Sequence, residues 1–180
     1  MMHCFAYKDD PMDQAIMSKP NKKQQTLALV MSLIICYVVS FVGAIASINA
    51  KPFYASLVQP SWSPPGWVFG PVWILLYTMM GLSAWLIWRE NGFNAHRISL
   101  LLYLFHLIPN ALWSWLFFSW HLGAASFINI IVLWLLILVT ILAFFRINKP
   151  AAMLLLPYLC WVAFATALNY VLWQNNPTIL

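Results

Sequence analysis

Charge is what this sequence has least of. It holds four acidic and nine basic residues in 180, so charged side chains make up 7% of the chain, against about 25% in an ordinary soluble domain. The acidic residues Asp9, Asp10, Asp13 and Glu90 all lie outside the long apolar stretches. Ion pumps and proton relays place ionisable groups within the membrane, and only His106 sits in such a stretch. A conventional transporter or a carboxylate-based hydrolase therefore finds little support. His3, His96, His106 and His121 lack the i, i+4 or HExxH spacing of a metal site, and no glycine-rich phosphate loop is present. Cys4, Cys36 and Cys160 show no CxxC spacing and read as small hydrophobes. The basic residues are too scattered to follow a phosphate backbone, which argues against nucleic acid as a partner.

What the sequence has in excess is apolar surface: 63% of residues are hydrophobic and the mean hydropathy is +0.81. Lipid is the solvent such a composition requires. Continuous apolar runs predict helices over 26–50, 68–88, 98–120, 123–145 and 151–173, each close to the ~20 residues that cross a bilayer. Alternating strands of about ten residues, the signature of a membrane barrel, are absent from the pattern. The expected fold is an all-α integral membrane bundle of five spanning helices over 26–176. Residues 1–25 form a polar, basic N-terminal tail; the apolar run after it is too long for a signal peptide.

If the helices alternate in direction, Lys8, Lys19, Lys22, Lys23, Arg89, Arg97, Arg146 and Lys149 share one side and only Lys51 lies on the other. Positive charge is retained on the cytoplasmic side, which predicts a cytoplasmic N-terminus and an outside C-terminus in a plasma or inner membrane. Pro109 and Pro157 are expected to kink the third and fifth helices. In the first helix Ser40/Ala44, Gly43/Ser47 and Ala46/Ala50 are small-xxx-small pairs, which permit close helix approach within the bundle or across a dimer.

The first loop, Lys51–Pro65, carries Pro52, Pro60, Pro64 and Pro65, with Pro71 just beyond, Trp62 within it and Trp67 at its exit. Such a segment is expected to be an ordered, non-helical cover over one end of the bundle, or else an interfacial anchor. Aromatic residues make up 17% of the chain, with eleven tryptophans. Trp67, Trp88, Trp120 and Trp173 fall at helix ends, where an aromatic belt needs no further purpose. Deeper sets are more informative: Trp73 with Tyr77; Asn110 with Trp113, Ser114 and Phe117; Trp161 with Ala165 and Asn169. Each set follows helical spacing and lines one face. Either these faces meet around a cavity for a flat apolar ligand, with Asn110 or Asn169 orienting it, or they are packing contacts. His106 has its own pair of readings, an axial haem ligand or a buried histidine hydrogen-bonded across helices; no other metal ligand suggests itself.

Three blocks, Phe53–Trp88, Asn110–Phe118 and Leu154–Asn176, are together specific enough to carry a resemblance. Over about residues 27–176 the chain resembles the tryptophan-rich sensory protein/translocator protein family (TspO/MBR), also called the peripheral benzodiazepine receptor family. The resemblance implies a five-helix bundle, often a homodimer in the lipid bilayer, with a site for porphyrins, sterols and synthetic isoquinoline or benzodiazepine-type ligands. Carried over by motif, that site comprises Tyr54, Pro64, Phe69, Trp73, Tyr77, Asn110, Trp113, Ser114, Trp161, Ala165, Leu168 and Asn169. Phe53, Gln59 and His106 stand where the family often has Trp, Lys and Gln. No Lys or Arg follows Tyr170, so the proposed C-terminal cholesterol pattern is missing, which favours tetrapyrroles over sterols.

The implied activity is that of a receptor or sensor binding protoporphyrin or haem, and so regulating porphyrin level or stress response. No obligatory cofactor is implied, since porphyrin or haem enters as ligand. One alternative is light- and oxygen-dependent porphyrin degradation, in which Trp73 and Trp161 would be the catalytic, redox-active side chains. Another is transport of porphyrin or sterol.

Overall fold

The computed structural model describes residues 20–180; most of the N-terminal tail, with Lys8 and Lys19, lies outside the described residues. Every regular element among those described is helical. The elements are α1 (Lys22–Ala46), α2 (Ala50–Ser56), a 3-10 turn (Gly66–Val68), α3 (Phe69–Ala95), α4 (Arg97–Ser114), a π-helical turn (Trp115–Ser119), α5 (Gly123–Phe145), α6 (Lys149–Leu154) and α7 (Leu156–Asn175). Five stretches are long and apolar enough to span a membrane: α1, α3 with its 3-10 turn, α4 with its π turn, α5, and α6 with α7. The chain is a multi-pass integral membrane bundle, as its composition requires, because in lipid each backbone group must be satisfied within its own segment.

Helix boundaries correct several sequence expectations. The first span starts at Lys22 and not at residue 26, because Asn21 caps it: Asn21 Oδ1 accepts from Gln24 N at 2.9 Å and Gln24 Oε1 accepts from Asn21 N at 2.9 Å. This reciprocal capping box satisfies orphan donors of the first turn, so residues 22–25 belong to the helix and not to the tail. The same span ends at Ala46 rather than 50, and Ser119 Oγ donates to the freed Ala46 carbonyl at 2.9 Å. The first loop is also not wholly non-helical, since Ala50–Ser56 forms α2. Pro52 is tolerated there because it stands in the first turn, where its missing N–H has no intrahelical partner to lose.

The second span runs past Trp88 and is broken only at Asn91 and Gly92; Gly92 has φ +77°, a left-handed conformation that suits glycine. Pro109 stays inside a continuous α4, and the irregularity comes later, where Trp120 N donates to the Trp115 carbonyl at 2.9 Å to close the π turn. At Pro157 the expected interruption is complete: α6 ends at Leu154 and α7 begins at Leu156, with Pro157 in its first turn.

The spans form a ring. α1 packs against α3 and α4, α4 against α5, α5 against α6 and α7, and α6 closes back on α3. Between helices in lipid, close packing and hydrogen bonds supply the cohesion, the latter at about 0.6 kcal/mol each. α1 and α3 are zipped over their lower two thirds. Trp85 Nε1 donates to the Gln25 carbonyl at 2.9 Å, Ser32 Oγ to the Gly81 carbonyl at 3.0 Å, and the Tyr37 and Thr78 hydroxyls pair at 2.7 Å. Ser83 Oγ, fully buried, donates to the Ala151 carbonyl at 2.7 Å and fixes α6. Beyond Tyr37 and Thr78 the two helices part, and the covering loop sits over that gap.

The loop is held from the far end of the chain. Asn176, buried beyond α7, accepts from Val58 N at 2.8 Å and donates to the Val58 carbonyl at 3.2 Å and to the Leu172 carbonyl at 2.8 Å. One amide thus pairs both backbone groups of Val58, the way a neighbouring strand would, and also satisfies an orphan carbonyl of the last turn. Phe53 stacks on His121 with centroids 4.1 Å apart, which ties α2 to the turn before α5. His121 takes φ 53° to make that turn.

Candidate functional site

Where α1 and α3 part, the bundle encloses a cavity of about 450 Å³, within the ~300–1,000 Å³ range of small-molecule sites. Its walls come from three spans and the covering loop. α1 contributes Ser40, Gly43, Ala44 and Ser47; α2 and the chain before α3 contribute Ala50, Lys51, Tyr54 and Gly66. Phe69, Gly70, Trp73, Ile74 and Tyr77 come from α3, and Asn110, Trp113 and Ser114 from α4, with Phe118 just beyond. Ser40 to Ser47 and Phe69 to Tyr77 are about two helical turns each, so the cavity runs roughly 10–12 Å along the bundle. Ala44, Gly70 and Ile74 are exposed, so the opening lies on the lipid-facing side between α1 and α3.

Small residues on α1 create the space. A Cβ added at Gly43 would come within 3.3 Å of Ser114 Oγ, so glycine here lets α1 and α4 approach below the cavity wall. The small-xxx-small pattern thus serves contacts inside the bundle, and the same face leaves volume unfilled opposite the aromatic rings of α3.

The polar groups at the closed end are committed to one another. Tyr77 OH donates to Asn110 Oδ1, and Asn110 Nδ2 donates to Tyr158 OH at 2.6 Å. Trp113 Nε1 donates to Asn169 Oδ1 at 2.8 Å. A buried amide in an apolar bundle is costly unless paired; Asn110 is paired at both its oxygen and its nitrogen, whereas Asn169 is paired through Oδ1 alone and its buried Nδ2 has no partner among the described residues. Asn110 and Asn169, expected from the sequence to orient a ligand, also position Tyr77 and Trp113 through these bonds, and of the two only Asn110 lines the cavity. Trp73 lies with its ring centroid 5.6 Å from Tyr77 and 6.3 Å from Tyr158, and Trp113 stacks on Phe117 at 5.4 Å. The result is a set of fixed aromatic planes with a polar layer behind them.

Of the twelve residues singled out from the sequence, seven line this cavity: Tyr54, Phe69, Trp73, Tyr77, Asn110, Trp113 and Ser114. The other five do not. Pro64 acts through its carbonyl, which accepts from Tyr54 OH at 3.3 Å. Burial also pushes the Tyr54 phenol up from its ordinary value, so it remains a neutral donor. Trp161 stands one ring behind the wall, edge-on to Phe69 at 5.9 Å, and Phe69 is in turn edge-on to Tyr54 at 5.6 Å. Ala165, Leu168 and Asn169 are buried in the bundle interior on α7. The fifth span meets mainly the fourth, and its Trp161–Asn169 face reaches the cavity only indirectly, through Phe69 and Trp113.

His106 is fully buried away from the cavity, between Tyr103 and Tyr158, with ring centroids 4.9 and 5.8 Å distant. Neither of its ring nitrogens has a hydrogen-bond partner. The cross-helix hydrogen bond expected for it is therefore not made. No group of three or more His, Cys, Asp or Glu gathers in metal-binding proximity among the described residues.

Sequence reasoning missed the α1 wall and Lys51. The signal was present in the small residues, which were read only as packing contacts.

Comparison with known proteins agrees with this architecture. Residues 31–174 match the model of the TspO/MBR family. The chain is 42% identical over 164 residues to tryptophan-rich protein TspO of Chlorobaculum tepidum, covering 87% of this chain and 99% of that protein. It is 40% identical over 126 residues to the translocator protein of Ovis aries, covering 69% and 75%. To the tryptophan-rich sensory protein of Cereibacter sphaeroides it is 36% identical over 138 residues, covering 74% and 85%. A match over most of the chain, together with five membrane-spanning helices, leads to one conclusion: this protein belongs to the TspO/MBR family.

Proposed function

We propose that the chain is a membrane receptor for tetrapyrroles, holding protoporphyrin or haem in the cavity between the first three spans and so regulating porphyrin level or a stress response. The observation that supports this most is the wall itself. Trp73, Tyr77, Phe69 and Trp113 present fixed ring faces and edges to a cavity two helical turns long. Aromatic walls recognise flat apolar ligands by stacking and edge contacts worth about 0.5–1.5 kcal/mol per pair beyond area burial. A cavity open toward lipid suits a ligand that partitions into membranes.

Titration of purified protein with protoporphyrin in the dark is expected to give saturable tryptophan quenching with an unchanged porphyrin spectrum. Linear, non-saturating quenching would reject the receptor reading. A second reading, photochemical breakdown, is favoured by one feature: Trp73 is an oxidisable ring in the cavity wall, with Tyr77 and Tyr158 adjacent to it. It requires loss of the porphyrin bands only when protein, light and oxygen are all present.

The same proposal assigns orientation. Lys22, Lys23, Arg89, Arg97, Arg146 and Lys149 lie at one end of the spans and Lys51 at the other, so the basic end faces the cytoplasm. A membrane-impermeant amine reagent added to intact cells is expected to modify Lys51 and spare Lys22, Lys23 and Lys149. The reverse pattern inverts the assignment.

A further inference from the structure

Lys51 is the single charged residue in the cavity wall. It sits in the first turn of α2, exposed, at the end where the covering loop crosses the gap between α1 and α3. The rest of that wall's polarity is largely spent inside the protein: Tyr54 OH on the Pro64 carbonyl, Ser47 Oγ on the Gly43 carbonyl, and Tyr77 and Asn110 on each other. Glu90, the only Asp or Glu among the described residues, lies at the opposite end of α3 and is bonded to Asn148 at 2.8 Å. The cavity thus has an apolar, aromatic body and one cationic rim.

We propose that Lys51 reads a carboxylate on the bound ligand, so that the site selects flat apolar molecules carrying an acid group at one edge. This deepens the receptor proposal and rests on it. An ionised carboxylate driven to the closed end would be desolvated with no charged partner, which is costly. With its acid edge at Lys51 and its apolar body against Trp73 and Phe69, the same molecule keeps its charge paired at the rim. The geometry therefore assigns one direction of insertion as well as a chemical class. The pair is partly exposed, so its contribution is modest and salt-sensitive.

The test compares protoporphyrin with its dimethyl ester, which has the same macrocycle and no ionisable acid. Both are titrated in the dark into wild-type protein and K51Q in nanodiscs of zwitterionic lipid. In wild type the free acid is expected to bind about five-fold more tightly than the ester, the size of an ion pair near the upper end of the exposed range. K51Q is expected to bring that ratio to about one, and K51R to restore it. The ratio is the readout, so a general loss of stability in a variant does not imitate the result. A ratio near one in wild type overturns the proposal, as does a preference for the acid that survives in K51Q and leaves Lys51 to lipid phosphates. Saturable binding of both ligands with no discrimination removes only the Lys51 assignment, whereas binding of neither removes the receptor reading beneath it.

Discussion

Replacing Gly81 with leucine is expected to lower the apparent unfolding temperature of the detergent-solubilised protein by roughly 6–12 °C, as about 3 kcal/mol of overpacking does in a chain of this size. The reason is local and steric. A Cβ at Gly81 would lie 2.8 Å from Leu33 Cδ2 and 3.3 Å from Leu33 Cα. The first of these atoms can swing aside, but the second is backbone, so α1 itself must give way at Leu33, and further for a leucine than for an alanine. Moving it lengthens the Ser32 to Gly81 hydrogen bond and strains the neighbouring Tyr37–Thr78 pair. Gly81→Ala is expected to cost less, because it gains up to about 1 kcal/mol of helix propensity against a smaller clash. Gly70→Leu serves as the control, since nothing lies within 4 Å of a Cβ there. Equal melting of the Gly81→Leu and Gly70→Leu variants, measured by dye-monitored thermal unfolding, would show that the α1–α3 zipper is not the point of weakness.

Trp73→Ala is expected to weaken protoporphyrin binding at least about tenfold, because it removes an indole plane from the cavity wall and a contact of the hot-spot kind. Trp73→Phe keeps a ring at the same site and is expected to lose much less. The informative comparison is Trp161→Ala, which from sequence spacing alone ranks beside Trp73. With Phe69 between Trp161 and the cavity, the expected loss is only about two- to three-fold, transmitted through a loosened Phe69. Dark titration of the three variants, with helix content checked by circular dichroism, separates these outcomes. A larger loss for Trp161→Ala than for Trp73→Ala would place the ligand against the fifth span instead. Under illumination the same set bears on photochemistry: if Trp73 takes part, Trp73→Phe should bind porphyrin yet slow the loss of its bands.

Much of the site was legible because helical spacing is a property of one segment. Trp73 and Tyr77 are four residues apart, and Asn110, Trp113 and Ser114 follow on one face of α4; both sets share a face as the spacing implied, and both line the cavity, one of the two arrangements that spacing left open. Trp161, Ala165 and Asn169 obey the same rule on α7 and do not line it. Spacing fixes which residues share a face but not which neighbour that face meets, and the ring order sets α7 chiefly against α5. The roles of Asn110 and Asn169 were hidden for a related reason. Their partners, Tyr158 and Trp113, come from spans distant in sequence.

The sequence by itself determined that this is a five-helix membrane protein, because 63% hydrophobic residues in five uninterrupted runs leave no other way to satisfy the backbone in lipid. It also determined the prolines and tryptophans of the covering loop and the break at Pro157, which are local steric matters. The tertiary structure alone decided where the empty volume lies. A cavity belongs to no segment: it exists because Ser40, Gly43, Ala44 and Ser47 on α1 are too small to fill the space opposite Trp73 once Gly81 has fixed the distance between the helices. Only that arrangement brings Lys51, an ordinary loop cation in the sequence, to the rim of an aromatic cavity.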